Sequence, residues 1–252
     1  MRCDDRAVVW RSTGRPPEEP AMTLTAGHGP LSADPAGWFT PALPDGTVYA
    51  EPHPRRVVAV AAGRTVIDTE DVVMVHRRGH PLSYAFRPEA VGGLPYTPAP
   101  EAPGYGYVPW DSVDTWFEEG RELVHYPPNP YHRVDCRPTD RRLRVSVAGT
   151  VLVDTADTVV VFETALSPVL YVDPRHVRVD LLRPSKTASY CNYKGWATYW
   201  SAAIDGADGA VVDDVAWSYD QPFDETRSIA GFFSFDPVRA EVSAALPFSA
   251  AR

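Results

Sequence analysis

The sequence predicts a mostly β protein built from two related antiparallel β modules, with one or two short helices. Three observations carry that expectation. Val-rich runs of five or six residues are bounded by Gly, Asp and Thr, which is strand punctuation. Proline occurs at 26 of 252 positions, about twice the usual ~5 %, and so cuts the chain into short segments. One strand–turn–strand pattern also occurs twice at a fixed offset.

The first copy runs from Arg56 to Thr69, two apolar strands around a turn at Gly63, with the strand Val72–His76 behind Asp71. The second runs from Arg142 to Thr155 around Gly149, with Thr158–Phe162 behind Asp157. Gly63 aligns with Gly149 (149 − 63 = 86), and Asp68, Thr69 and Asp71 align with Asp154, Thr155 and Asp157 at the same offset. Tyr84 and Tyr171 match after a one-residue slip, each ahead of a proline, Pro88 or Pro174. A shared register of this kind points to two copies of one module, fewer than a repeat array needs.

Composition narrows the function classes. A hydrophobic content of 44 % with 23 % charged residues is ordinary for a soluble globular protein. A formal charge of −9 disfavours nucleic acid as a partner, because phosphate binding needs a basic face. No apolar run approaches the ~18 residues of a membrane span. The start, Met1 to Arg6, lacks the apolar core of a signal peptide. Three cysteines (Cys3, Cys136, Cys191) without a CxxC pair suit neither a disulfide framework nor a structural zinc site. The expected compartment is the cytoplasm, and the oligomeric state is left open.

In chain order, residues 1–22 read as a disordered tail, because Arg15 to Pro20 is too polar to fold; Met22 is a candidate start. Residues 23–125 form the first, degenerate module, with Trp38, Phe39 and Tyr49 as expected anchors onto it. A helix is expected from Pro109 to Gly120, with Trp110, Val113, Trp116 and Phe117 apolar and Asp111 and Asp114 at its start. Residues 126–252 form the second, complete module, entered through Tyr126 to Pro130. A hairpin is expected around Ile204-Asp205-Gly206, then strands at 215–219 and 229–235. Asp236-Pro237 would cap a closing helix with Val238, Val242 and Leu246 on one face.

Only the second module carries the stretch Ser189 to Trp200, which packs a thiol, an amine, a glycine and five aromatic rings into twelve positions. Cys191 reads as a nucleophile if Lys194 or a histidine lowers its pKa, or else as a small buried residue. Lys194 reads as an anion ligand or amine nucleophile, or as a snorkelling surface lysine. The two lie on opposite faces of a strand unless Asn192-Tyr193 form a turn, which Gly195 favours while also letting a ligand approach the backbone. Glu163 ends an apolar strand, so it is either exposed there or buried with a partner: Lys194, Arg133 or His132. His132 would serve as a general base and Arg133 as an anion clamp, or both would bond linker carbonyls. Tyr131, Tyr171, Tyr199, Trp200, Trp217 and Tyr219 are the candidate walls for a flat or apolar ligand, although strand aromatics are commonly core. His76 and His80 stand four apart at a strand end, and no metal is assigned to them. The first copy has Arg77 where the second has Glu163 (163 − 77 = 86), so it would buttress the second or close one side of its pocket.

The combination Pro130 to Asp135, Phe162-Glu163-Thr164, Asp180-Leu181-Leu182, Cys191-Asn192-Tyr193-Lys194-Gly195, Tyr199-Trp200-Ser201 and Ala216 to Tyr219 resembles the domain-of-unknown-function family 427. The likeness covers roughly 130–245 and extends more weakly to 45–95, so the whole is similar to the tandem form found in actinobacteria. It implies small, mostly antiparallel modules similar to the β-tent group of coiled sheets. The family also carries a nucleotidyltransferase-like label, but no Gly-Ser followed by a spaced acidic pair stands in this sequence. The family implies no agreed reaction. Two expectations follow for the site. The first is a small-molecule enzyme without a tightly bound cofactor, working by hydrolysis, elimination or group transfer. The alternative is a non-catalytic module binding an anionic or aromatic metabolite; a third reading makes the chain an interaction protein whose aromatics are only core.

Overall fold

Alternation of apolar and polar residues with period two, broken every five to ten positions by Gly, Pro or Asp, gives strands joined by tight turns. The computed structural model describes residues 30–31, 35, 37–78, 80–204 and 211–246. The expected tail at 1–22 and the turn at 205–206 lie outside the described residues. Among the described residues the chain is mostly β, in several antiparallel sheets with no barrel.

In the first half, Val48–Pro52, Val72–Arg77, Ser83–Phe86, Gly106–Tyr107 and Thr97–Pro98 lie side by side in one sheet. Arg64–Thr69, Val57–Ala61, Thr115–Glu118 and Arg121–Leu123 make a second. Between them lies a core of Val57, Ile67, Met74, Tyr84, Phe86 and Trp116. Trp116 stacks on Phe86 at 5.8 Å and on Trp110 at 5.1 Å between ring centroids.

The second half begins with the same order. Val134–Thr139, Thr158–Glu163 and Val169–Tyr171 form one sheet, and Thr150–Thr155, Leu143–Val147 and Glu241–Ala244 another. A further sheet, Leu182–Cys191, Gly195–Ala203, Val211–Ser218 and Phe233–Phe235, follows.

The registers of the two halves coincide. Val48 faces Arg77 as Val134 faces Glu163 (134 − 48 = 86 and 163 − 77 = 86). Val57 faces Thr69 as Leu143 faces Thr155, and both hairpins break register at the same place, after Ala59 and after Val145. The turns match too: Ala62-Gly63 and Ala148-Gly149 both have positive φ at both central residues, the geometry of a two-residue hairpin turn. Arg56 grips Asp68 as Arg142 grips Asp154.

Four sequence expectations need correction. The tyrosine pairing with its one-residue slip fails: Met74 faces Tyr84 where Val160 faces Leu170, so Tyr84 corresponds to Leu170 and Tyr171 to Ala85. The helix expected from Pro109 is a single 3₁₀ turn, Trp110–Ser112, followed by the strand Thr115–Glu118. Pairing with Val57–Ala61 alternates Trp116 and Glu118 inward with Thr115 and Phe117 less buried, which overrides the helical spacing. The closing helix is likewise a capped turn at Asp236 followed by the strand Glu241–Ala244, held by Leu143–Val147. Finally, Trp38 and Phe39 are exposed rather than packed as anchors, while Tyr49, also exposed, does lay its ring against His76 of the first module.

Candidate functional site

The strand Thr158–Glu163 is apolar to its last residue, and that residue is buried. Glu163 follows Val159 and Val161 at alternate positions of its strand, on the face that builds a third core with Tyr171, Ala197, Tyr219 and Ile229, so its charge needs partners brought from elsewhere. Two arrive. The turn Cys191-Asn192-Tyr193-Lys194 closes with Lys194 N–H donating to the Cys191 carbonyl (3.3 Å), which carries Lys194 back over the sheet. Its Nζ donates to Glu163 Oε2, 5.7 Å from the centre of the Tyr219 ring. From the other side, the linker turn Asn129 to His132 closes with His132 N–H donating to the Asn129 carbonyl (3.1 Å). That turn puts His132 Nε2 3.0 Å from Glu163 Oε1; a carboxylate only accepts, so Nε2 carries the hydrogen.

The three side chains are almost out of water: His132 is 1 % exposed, Glu163 6 % and Lys194 7 %. Burial alone would raise the Glu163 carboxyl, but the hydrogen bond from His132 and the Lys194 charge outweigh it and hold it below the usual range. The Tyr193 ring stacks on His132 at 3.7 Å, and its hydroxyl accepts the Asn129 N–H at 2.7 Å. Beside the stack, Asn192 Nδ2 donates to the Tyr126 carbonyl (3.0 Å), while Asn129 Nδ2 and Asn192 Oδ1 are buried without a protein partner.

Gly195, at φ +94°, is the residue that lets the turn end here and the next strand begin. Its Cα side packs near Gln221 and Phe223, not against open space for a ligand. Cys191 sits at the head of the same turn, its sulfur 3.5 Å from Tyr193 N. Burial pushes the thiol up against the opposing pull of Lys194, so it is no thiolate at neutral pH.

The expected ring wall divides. Tyr171, Tyr199, Trp217 and Tyr219 are grouped in or against the core that contains Val159 and Val161. Trp217 Nε1 donates to the Tyr171 hydroxyl (2.9 Å), and Tyr199 shares a hydrogen bond with Ser189 (3.0 Å). Burial raises the Tyr171 and Tyr219 hydroxyls, so both are neutral. Trp200 is on the other face, its ring edge on Phe233 in the neighbouring core; one residue along a strand reverses direction.

Two more placements correct the sequence reading. Arg133 is no anion clamp: its side chain is 72 % exposed and pairs with Asp135 (3.3 Å). Tyr131, next in the chain to His132, turns the other way and donates from its hydroxyl to Glu51 in the first half. Two shallow surface hollows, one around Ser146 and Val238 and one around Arg56 and Phe117, do not touch Glu163 or Lys194.

The first half has a buried carboxylate of its own. Glu118 accepts from Tyr84, from His53 (2.8 Å) and from Arg55 (2.5 Å), and these donors outweigh burial to keep it below the usual carboxylate range. Nothing in the sequence reading singled this cluster out. The signal that marks Glu163, a carboxylate ending an apolar strand, also marks Glu118.

Residues 135–245 match the family described as Domain of unknown function (DUF427), and that part of the chain belongs to it. No curated protein matches the chain. Among the described residues no helix is long and apolar enough to cross a membrane.

Proposed function

We propose that the DUF427 part of the chain makes it a small-molecule enzyme whose chemical step is proton transfer at Glu163, His132 and Lys194. One observation carries the reading: a single carboxylate, held ionised, is shared by two proton-bearing groups where water scarcely reaches. A buried carboxylate perturbed by specific partners is a common mark of a functional site. In this reading a substrate anion displaces Glu163 from Lys194, which then holds the anion. The released carboxylate or His132 takes a proton from the substrate and returns it to the leaving group. Such a step serves a hydrolase, a lyase or a group transfer equally. Admission needs the Asn129–His132 linker or the Cys191–Lys194 turn to move aside, as lids do in many enzymes. Cys191 enters as part of the wall, since its thiol is held protonated.

The proposal includes a tandem origin: the shared register supports two β-tent-like copies of one module, the first having lost the triad. The free thiols Cys136 and Cys191 fit a reducing cytoplasm. The test is incubation with a cell metabolite extract followed by mass spectrometry, wild type against Lys194→Met. A metabolite consumed by wild type alone supports the enzyme. One retained unchanged supports the second reading, a binding module for an anionic or aromatic metabolite, which the pairing of Lys194 with Glu163 and the protonated Cys191 favour.

A further inference from the structure

Among the described residues, Glu51 is a part-buried carboxylate that no Lys or Arg answers. Its side chain is 15 % exposed. Glu163 has Lys194, Glu118 has Arg55 and Glu101 has Arg77. Among the described residues, Glu51 is met by neither Lys nor Arg. Three ring-bearing donors meet it instead. His76 Nε2 lies 2.9 Å from Oε1, while the Tyr49 and Tyr131 hydroxyls converge on Oε2 at 3.2 and 2.5 Å. His76 is fully buried, and burial depresses its pKa beyond what Glu51 restores, so the imidazole is neutral. The two tyrosines are 47 % and 50 % exposed, and each ring lies against His76, at 5.6 and 6.0 Å between centroids.

A carboxylate beside two half-exposed tyrosine rings, met by no Lys or Arg among the described residues, suits a cationic ligand. Aromatic faces add their quadrupole to the Coulomb attraction and suit a bulky, weakly hydrated ammonium best. Among the described residues no group of three or more His, Cys, Asp or Glu is placed to hold a metal ion, so the rings favour an organic ligand. We propose that Tyr49, Glu51, His76 and Tyr131 form a binding site for a small molecule carrying an alkylated ammonium group. The site straddles the two halves, because Tyr131 comes from the linker. It is separate from the Glu163 cluster and does not depend on the function assigned there.

Isothermal titration of the full chain with tetramethylammonium chloride, against sodium chloride at equal ionic strength, tests the assignment. Saturable heat is expected from the wild type. Affinity should fall at least tenfold in Glu51→Gln and in Tyr131→Ala, the latter altering an exposed linker side chain and so sparing the fold. Absence of saturable binding to the wild type, or unchanged affinity in a folded Tyr131→Ala, overturns the site.

Discussion

Lys194 and Glu163 stand 31 residues apart in the chain and meet as an ion pair whose side chains are 7 % and 6 % exposed. Removing one partner of such a pair leaves a charge stranded in low dielectric. Lys194→Met should therefore cost about 3–5 kcal/mol of stability. The double variant Lys194→Met/Glu163→Leu should cost less than Lys194→Met alone, because no charge is left stranded and only the neutral His132 Nε2–H loses its acceptor. Urea unfolding of the four proteins in the cycle measures the coupling.

The buried thiol of Cys191 gives a kinetic prediction. Since its pKa is raised, iodoacetamide should label it at neutral pH more slowly than an unhindered thiol such as glutathione. The rate should climb only under alkaline conditions. Mass mapping of the labelled peptide separates it from Cys3 and Cys136.

Two groups set successive limits to the acid stability, and the signs follow from linkage. His76 has a folded pKa below 6.5, so its contribution is complete above pH 6.5. That contribution drains as pH falls, when the unfolded chain takes a proton that the folded one refuses. Glu163 is depressed below 4.5, so its contribution is complete above that value and is lost only as pH falls through its folded pKa. Urea midpoints should thus decline in two stages, and His76→Gln should flatten the first while leaving the second. A wild-type midpoint flat from pH 7 to 5 contradicts the assignment for His76, which faces Glu51 and His53.

The matched turns carry strain that can be removed. Ala62 and Ala148 hold φ +49° and +48° ahead of glycines, a left-handed region where alanine is disfavoured and asparagine accepted. Ala148→Asn should raise stability by roughly 0.5–1 kcal/mol, and Gly149→Ala should lower it by about 1 kcal/mol. Thermal melts decide both signs.

These turns were legible in the sequence because a two-residue loop between alternating strands leaves a local mark. The helices expected at 109–120 and 236–246 were not there, for a physical reason. Val242 and Leu246 are four apart, a spacing that suits a helical face and equally one face of a strand. What decided was pairing with Leu143–Val147, about a hundred residues away. The site divides in the same way. Glu163 was marked by a carboxylate ending an apolar strand, and the Cys191–Lys194 turn by Gly195. Tyr193 over His132, Glu118 with His53, and Glu51 with Tyr131 join residues 61, 65 and 80 apart, and no spacing rule reaches that far. Trp200 sits one residue from Tyr199 on a strand, which sends adjacent side chains to opposite faces, and Arg133, one residue past His132 and just ahead of the strand at Val134, turns out to Asp135.

The central claim is that Glu163 moves a proton rather than merely bracing the linker. The most direct measurement is the rate at which Glu163→Gln, shown folded by circular dichroism, consumes whichever metabolite the wild type depletes. The account predicts a loss of about a hundredfold or more. A folded Glu163→Gln that works at the wild-type rate contradicts it.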